Sequence, residues 1–142
     1  MIKLKTNYKI SLLSIVIIII VIASSAVWYF SPKNFLSGVK PSDINSISIF
    51  DGNTGKEFVI DDLTEIKYIV ENIQNIKMKR DNISVGYSGY TFRIRFNGNN
   101  GKDIDSFVIN SGDTIRDDPF FYHCNGGLCF DYLKELEEKY VK

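Results

Sequence analysis

Two cysteines flank a glycine turn in YHCNGGLCF, and of all residues in this chain their type and spacing point most directly to chemistry. Cys124 and Cys129 are the only two cysteines, and Asn125-Gly126-Gly127 between them can bend far enough to bring two sulfurs together. In an oxidising compartment an even cysteine count favours a disulfide. A Cys124–Cys129 bridge is therefore expected, a short closed loop worth roughly 2 kcal/mol on the chain-entropy model. Two free buried thiols are the alternative. A metal site from His123, Cys124 and Cys129 fits less well: only three ligands are at hand, and adjacent ligands are awkward for one tetrahedral ion. A redox pair would want the tighter Cys-x-x-Cys spacing.

The other candidates are weaker. His123 is the only histidine, and as a catalytic base it would need a nucleophile and an orienting acid near it in space. The expectation is a partly buried structural histidine. Gly86-Tyr-Ser-Gly89 is not a nucleophile elbow, because glycine follows Ser88 directly and the next element reads as a strand. Asp51, Asn53 and Asp62 occupy positions 1, 3 and 12 of a calcium loop. Position 6 is Lys56 rather than glycine and position 12 is Asp rather than Glu, so a hairpin turn is expected. Asp113, Asp117 and Asp118 read as solvated turn residues. No phosphate loop or dinucleotide fingerprint occurs. No catalytic residue, cofactor or metal is expected, and the chain does not read as an enzyme.

The compartment comes from Ile10 to Phe30, which carries no charge. As a helix those 21 positions span roughly 31 Å, about the thickness of a bilayer core. Lys3, Lys5 and Lys9 precede the run, and Trp28, Tyr29 and Phe30 close it as an interfacial aromatic belt. Basic flanks stay cytoplasmic, so residues 1–9 are expected inside and everything after Phe30 outside. A cleaved signal peptide is the rival reading, with Ser24 and Ala26 at the −3 and −1 positions of a cut. The apolar run continues past that point to Phe30, which favours an uncleaved anchor. All 17 acids follow Phe30 and three of the 17 bases precede the run, so the exported part has a net charge of about −3. That excludes the concentrated basic footprint of a nucleic-acid binder. Lys77, Lys79 and Arg80 form the one dense basic cluster and read as a solvated turn after a helix.

Residues 31–43, SPKNFLSGVKPSD, lack periodicity and read as a linker. Residues 44–142 read as one α+β domain, a small antiparallel sheet packed against one or two helices. Ile44 to Phe50 alternates, Asp51 to Gly55 is turn chemistry, and Lys56 to Ile60 returns as a hairpin. DDLTEIKYIVENIQNIK places Leu63, Ile66, Ile69, Val70 and Ile73 on one helical stripe, with Asp62 and Glu65 spaced as a capping box. Gly89 to Phe96 is the clearest strand. Tyr90, Phe92, Ile94 and Phe96 share one face, and Arg93 and Arg95 share the other, which reads either as a plain solvated sheet face or as a polar contact surface. NGNNG turns the chain into Ile104 to Ile109, Asn110 to Pro119 is polar and turn-rich, and a last helix starts near Phe130 with Tyr132, Leu133, Leu136 and Tyr140 on one stripe.

This order of elements is a lysine-flanked anchor, the SISIFDGNTGK hairpin, the DDLTEIKYIVENI helix, the GYSGYTFRIRF strand with its NGNNGK turn, and the DYLKELEEKY helix. It resembles uncharacterised membrane-anchored extracytoplasmic domains of low-GC Gram-positive bacteria, over most of Ile44 to Lys142 and in pattern rather than in a diagnostic motif. The resemblance implies no catalytic residues, and some such proteins lie beside envelope-stress or antibiotic-response systems. The expected function is therefore non-enzymatic binding of a protein or envelope component by a membrane-tethered domain. The runner-up is an accessory or regulatory subunit acting through its transmembrane helix.

Overall fold

The apolar run forms one helix, α1 (Ile2–Phe30). Its Ser11–Phe30 segment of 20 residues has a mean hydropathy of 2.6 and is long enough to cross a bilayer core. The hydroxyls of Ser24 and Ser25 donate to the carbonyls of Ile20 and Val21, so neither is left unsatisfied on the helix surface. The computed structural model describes residues 2–141, with the side chains of all of these but 2–10 and 100; Lys3, Lys5 and Lys9 lie outside the described side chains. The chain divides into two units, Met1–Ser31 and Pro32–Lys142.

The second unit is an α+β domain built on seven strands: β1 (Ile44–Asp51), β2 (Glu57–Ile60), β3 (Lys79–Ile83), β4 (Phe92–Gly98), β5 (Asp103–Ser111), β6 (Thr114–Asp117) and β7 (Phe120–His123). Their order across the sheet is β2-β1-β4-β5-β6-β7-β3, and every pairing is antiparallel. Register follows the alternation read from the sequence. Ile47 stands between Ile60 and Phe96, and Ile49 between Phe58 and Ile94. Phe107, Ile109, Ile115 and Tyr122 extend the same buried face across β5 to β7. A slip of one residue would move this whole set to the opposite face, so the hydrophobic pattern fixes the pairing.

Two helices cover that face, α2 (Leu63–Asn75) and α3 (Phe130–Tyr140). Asp62 caps α2 by accepting from the backbone N–H groups of Thr64 and Glu65, and those two bonds hold its carboxyl below the usual range. The reciprocal half of the expected capping box is replaced. Glu65 turns inward and accepts from Lys139 Nζ at 2.6 Å and from Tyr140 Oη at 2.7 Å, which ties α2 to α3. Ile66, Ile69, Val70 and Ile73 are buried; Leu63, expected on the stripe, occupies the first helical position and is exposed.

Residues 31–43 are more than a linker. Lys33 and Met78 exchange two backbone hydrogen bonds of 2.7 and 3.0 Å. Gln74 Nε2 donates to the carbonyls of Leu36 and Val39. These bonds lay Phe35 against the sheet, with its ring 4.9 Å from that of Phe107 and 5.2 Å from that of Tyr122. Phe35 and Leu36 are 2% and 3% exposed, as deep as the helix residues. Phe35 packs on Phe107 of β5 and Tyr122 of β7, and the sequence gives no periodic sign of this because only two adjacent residues of the segment are buried.

Two further expectations change. Lys77, Lys79 and Arg80 do not form a turn: Lys79 and Arg80 open β3, the edge strand beside β7. The turn-rich stretch from Asn110 to Pro119 contains β6, whose Ile115 reaches the core while Arg116 points to the opposite face.

Candidate functional site

Neither α2 nor α3 covers the second face of the sheet, and the register sets out its residues in rows. Phe50 lies beside Arg93, Arg93 beside Val108, and Val108 beside Arg116; one step along, Ser48 lies beside Arg95 and Arg95 beside Ser106. Arg93 and Arg95 are exposed there, as the alternation of β4 predicts. Arg95 is 3.9 Å from Asp103 across a solvated pair. Arg93 stacks its guanidinium 4.5 Å from the Tyr90 ring, a geometry that fixes the side chain over an aromatic platform.

Tyr90 is therefore on the arginine side and not in the core where the sequence pattern places it. The strand begins at Phe92, three residues late, and Tyr90 swings over to meet Phe50, with ring centroids 6.1 Å apart. Gly52 permits this approach. Its N–H donates to Thr91 O at 2.8 Å, and a Cβ at Gly52 would lie 2.5 Å from Tyr90 O. No side chain fits that gap.

Sequence reasoning missed the third arginine of the face. Arg116 is 8% exposed, and its Nη1 donates to the carbonyls of Tyr87 and Gly89 at 2.9 and 3.0 Å. A buried guanidinium binding two carbonyls holds the loop between β3 and β4 onto the sheet. With Arg93, Ser106, Val108, Asp117 and Asp118 it lines an open cavity of about 260 Å³. The available signal was its place directly after Ile115 in a short alternating run. This face holds a polar recess beside the Arg93–Tyr90 stack, with side chains that can make hydrogen bonds and ion pairs.

The cysteine loop is different. The expected Cys124–Cys129 disulfide is not formed; both cysteines are free and buried. Their backbones are held by separate elements. The Cys124 N–H donates to Asp113 O in the β5–β6 turn, and the Cys129 N–H donates to Asn72 Oδ1 on α2. Gly126 and Gly127, both at positive φ, carry the chain between those anchors, and Asn72 Nδ2 closes the loop by donating to Gly127 O at 2.8 Å. Cys124 Sγ is turned to Gly126 O. Burial pushes the Cys129 thiol up to about 12 and raises that of Cys124. Thiols this hard to ionise are poor nucleophiles. A thiol-alkylating reagent at pH 7.5 should leave the native chain unmodified at Cys129, and addition of denaturant without any reductant should yield two alkyl groups per chain by mass.

His123 is exposed on β7 rather than partly buried, with its ring 3.8 Å from the Asp113 carboxylate. Hydrogen bonds from Ser111 and Thr114 hold Asp113 below the ordinary carboxylate range. The three acids of the turn-rich stretch are not brought together: Asp113 serves this turn, Asp117 pairs with Lys33, and Asp118 accepts from Ser84 and faces Arg116. Asp51 and Asn53 shape the β1–β2 turn, where Asp51 accepts from the Asn53 N–H and the Thr54 hydroxyl, while Asp62 caps α2. Ser88 stands in the exposed β3–β4 loop. Among the described residues no group of three His, Cys, Asp or Glu side chains could hold a metal ion. Comparison with protein-family models, curated proteins and solved structures finds no match for this chain.

Proposed function

We propose that this chain is a single-pass membrane protein that displays residues 32–142 outside the membrane as a non-enzymatic binding domain, the kind of tethered extracytoplasmic protein its order of elements resembles. Its partner is a protein or envelope component, met through the open sheet face around Arg93 and Arg95. One observation supports the binding surface above others: α2 and α3 cover one face of the seven-stranded sheet, and the second face presents a guanidinium stacked on Tyr90 beside a shallow polar cavity. Aromatic and arginine side chains held rigid in this way are the usual anchors of protein contacts. The uncharged Ser11–Phe30 helix supports the tether.

A photo-crosslinking amino acid placed at Arg95 in living cells tests the surface. Irradiation should give a discrete adduct from position 95 and none from Glu138, an exposed residue of α3. Equal adducts from both positions, or none from either, would remove the open face as the binding surface.

A further inference from the structure

A second cavity, of about 430 Å³, opens where the β1–β2 turn, the β3–β4 loop and the β5–β6 turn come together. Its size is in the range of small-molecule sites. Asn53 reaches it from the β1–β2 turn, and Tyr87 and Tyr90 from the β3–β4 loop. Asn110 of β5, Thr114 of β6 and Phe121 of β7 complete its walls. None of the residues lining it is an acid, a lysine, an arginine or a histidine. The cavity around Arg93 and Arg116 is of the opposite kind, with Asp117 and Asp118 also in its lining.

The rings of this cavity are held in place. Tyr87 is 58% exposed, yet its ring meets that of Phe121 edge to face, with centroids 5.2 Å apart. Arg116 fixes the loop that carries Tyr87 through the two carbonyls it binds, and its guanidinium lies 5.8 Å from the Tyr87 ring. The Thr91 hydroxyl ties the end of the loop to Asn110 O at 3.1 Å. A tyrosine fixed before its ligand arrives loses little freedom on binding. Polar groups stand open beside it. Among the described residues the side-chain amides of Asn53 and Asn110 make no hydrogen bond. Thr114 gives its hydroxyl proton to Asp113 Oδ1, which leaves the oxygen able to accept.

A neutral pyranose ring presents two kinds of surface. Its axial C–H groups make a weakly positive apolar patch, which suits the negative face of an aromatic ring. Its hydroxyls both donate and accept, and a side-chain amide answers them with an oxygen acceptor and an NH₂ donor. An uncharged cavity with a fixed, exposed tyrosine and open amides meets both needs. A phosphate or carboxylate would find no cation among the residues lining it. We propose that this cavity binds a neutral saccharide unit of an envelope glycan, stacked on Tyr87 and hydrogen-bonded by Asn53 and Asn110. This rests on the reading of the open face as the binding surface and names the class of ligand it takes.

The test uses the full chain in phosphatidylcholine nanodiscs, free of sugar-based detergent, and saturation-transfer NMR. The probes are chitotetraose, cellotetraose and a tetra-alanine peptide blocked at both ends. Saturation should pass to the ring C–H protons of a tetrasaccharide and not to the peptide. A response from chitotetraose alone would point to an N-acetylated glycan, and a response from both to recognition of the hydroxylated ring itself. Tyr87→Ala should weaken binding roughly tenfold and Tyr87→Phe should preserve it. Asn110→Ala should weaken it too, whereas Tyr68→Ala, which removes an exposed tyrosine of α2, should leave it unchanged. Silence from both tetrasaccharides, an equal response from the peptide, or equal losses from Tyr87→Ala and Tyr68→Ala would overturn the saccharide site. An adduct from position 95 in that event would keep the open face as a binding surface for a partner of another class. Absence of both signals would remove the open face as well.

Discussion

Phe35→Ala should lower the stability of residues 32–142 by about 3–5 kcal/mol, the cost of emptying a large aromatic core site. Phe35 is 2% exposed between the rings of Phe107 and Tyr122, inside the buried core. Chemical denaturation followed by circular dichroism measures the loss. A shorter chain that begins at Ile44 gives a sharper version of the same result. It lacks Phe35, Leu36 and the Lys33–Met78 bridge, and it should lose cooperative unfolding, whereas the chain that begins at Pro32 keeps it. A loss below about 1 kcal/mol for Phe35→Ala would return this segment to the role of a linker.

Phe92→Ala and Arg93→Ala should separate by several kcal/mol although the residues are adjacent. Phe92 is 1% exposed and its ring lies 5.4 Å from that of Phe130 on α3, so its removal should cost about 3–5 kcal/mol. Arg93 is solvated and loses only its contact with Tyr90, an exposed cation–π pair of about 0.5–1 kcal/mol. Thermal melts of the two variants give the comparison. Equal destabilisation would mean that β4 is buried on both faces and that the open face described here does not exist.

The parts of this fold that can be read from the chain are those where side-chain periodicity and burial coincide. In β1, β4 and α2 every second or every third to fourth residue enters the core, so Ile47, Ile49, Phe92, Ile94, Ile66 and Ile69 announce their own positions. The edge strand β3 does not, because KRDNI contributes no fully buried residue and is held by backbone bonds to β7. Strands β6 and β7 have four residues each, too few to show a period, and the polar turns around them dominate the local composition. Tyr90 illustrates a boundary effect, since a strand starting three residues late sends an aromatic ring to the other face. For the candidate site, Arg93 and Arg95 were legible from alternation alone, while Arg116 depended on a long-range contact with the 84–91 loop. The cysteines show the limit of composition. Spacing allows a disulfide, but the separate anchors on Asp113 and Asn72 decide where each thiol goes.

The claim that this domain is held outside the membrane by an uncleaved helix is tested most directly by labelling one new cysteine. Ser42 is exposed at the start of the domain, and both native thiols are buried. Intact cells producing the Ser42→Cys chain are treated with a membrane-impermeant maleimide, and the membrane fraction is read by mass spectrometry. The expected result is one label on a chain of the full 16.2 kDa, with none on the unsubstituted chain. Labelling that appears only after lysis would place the domain inside, and a labelled chain shortened to begin after Ala26 would replace the anchor with a cleaved signal peptide.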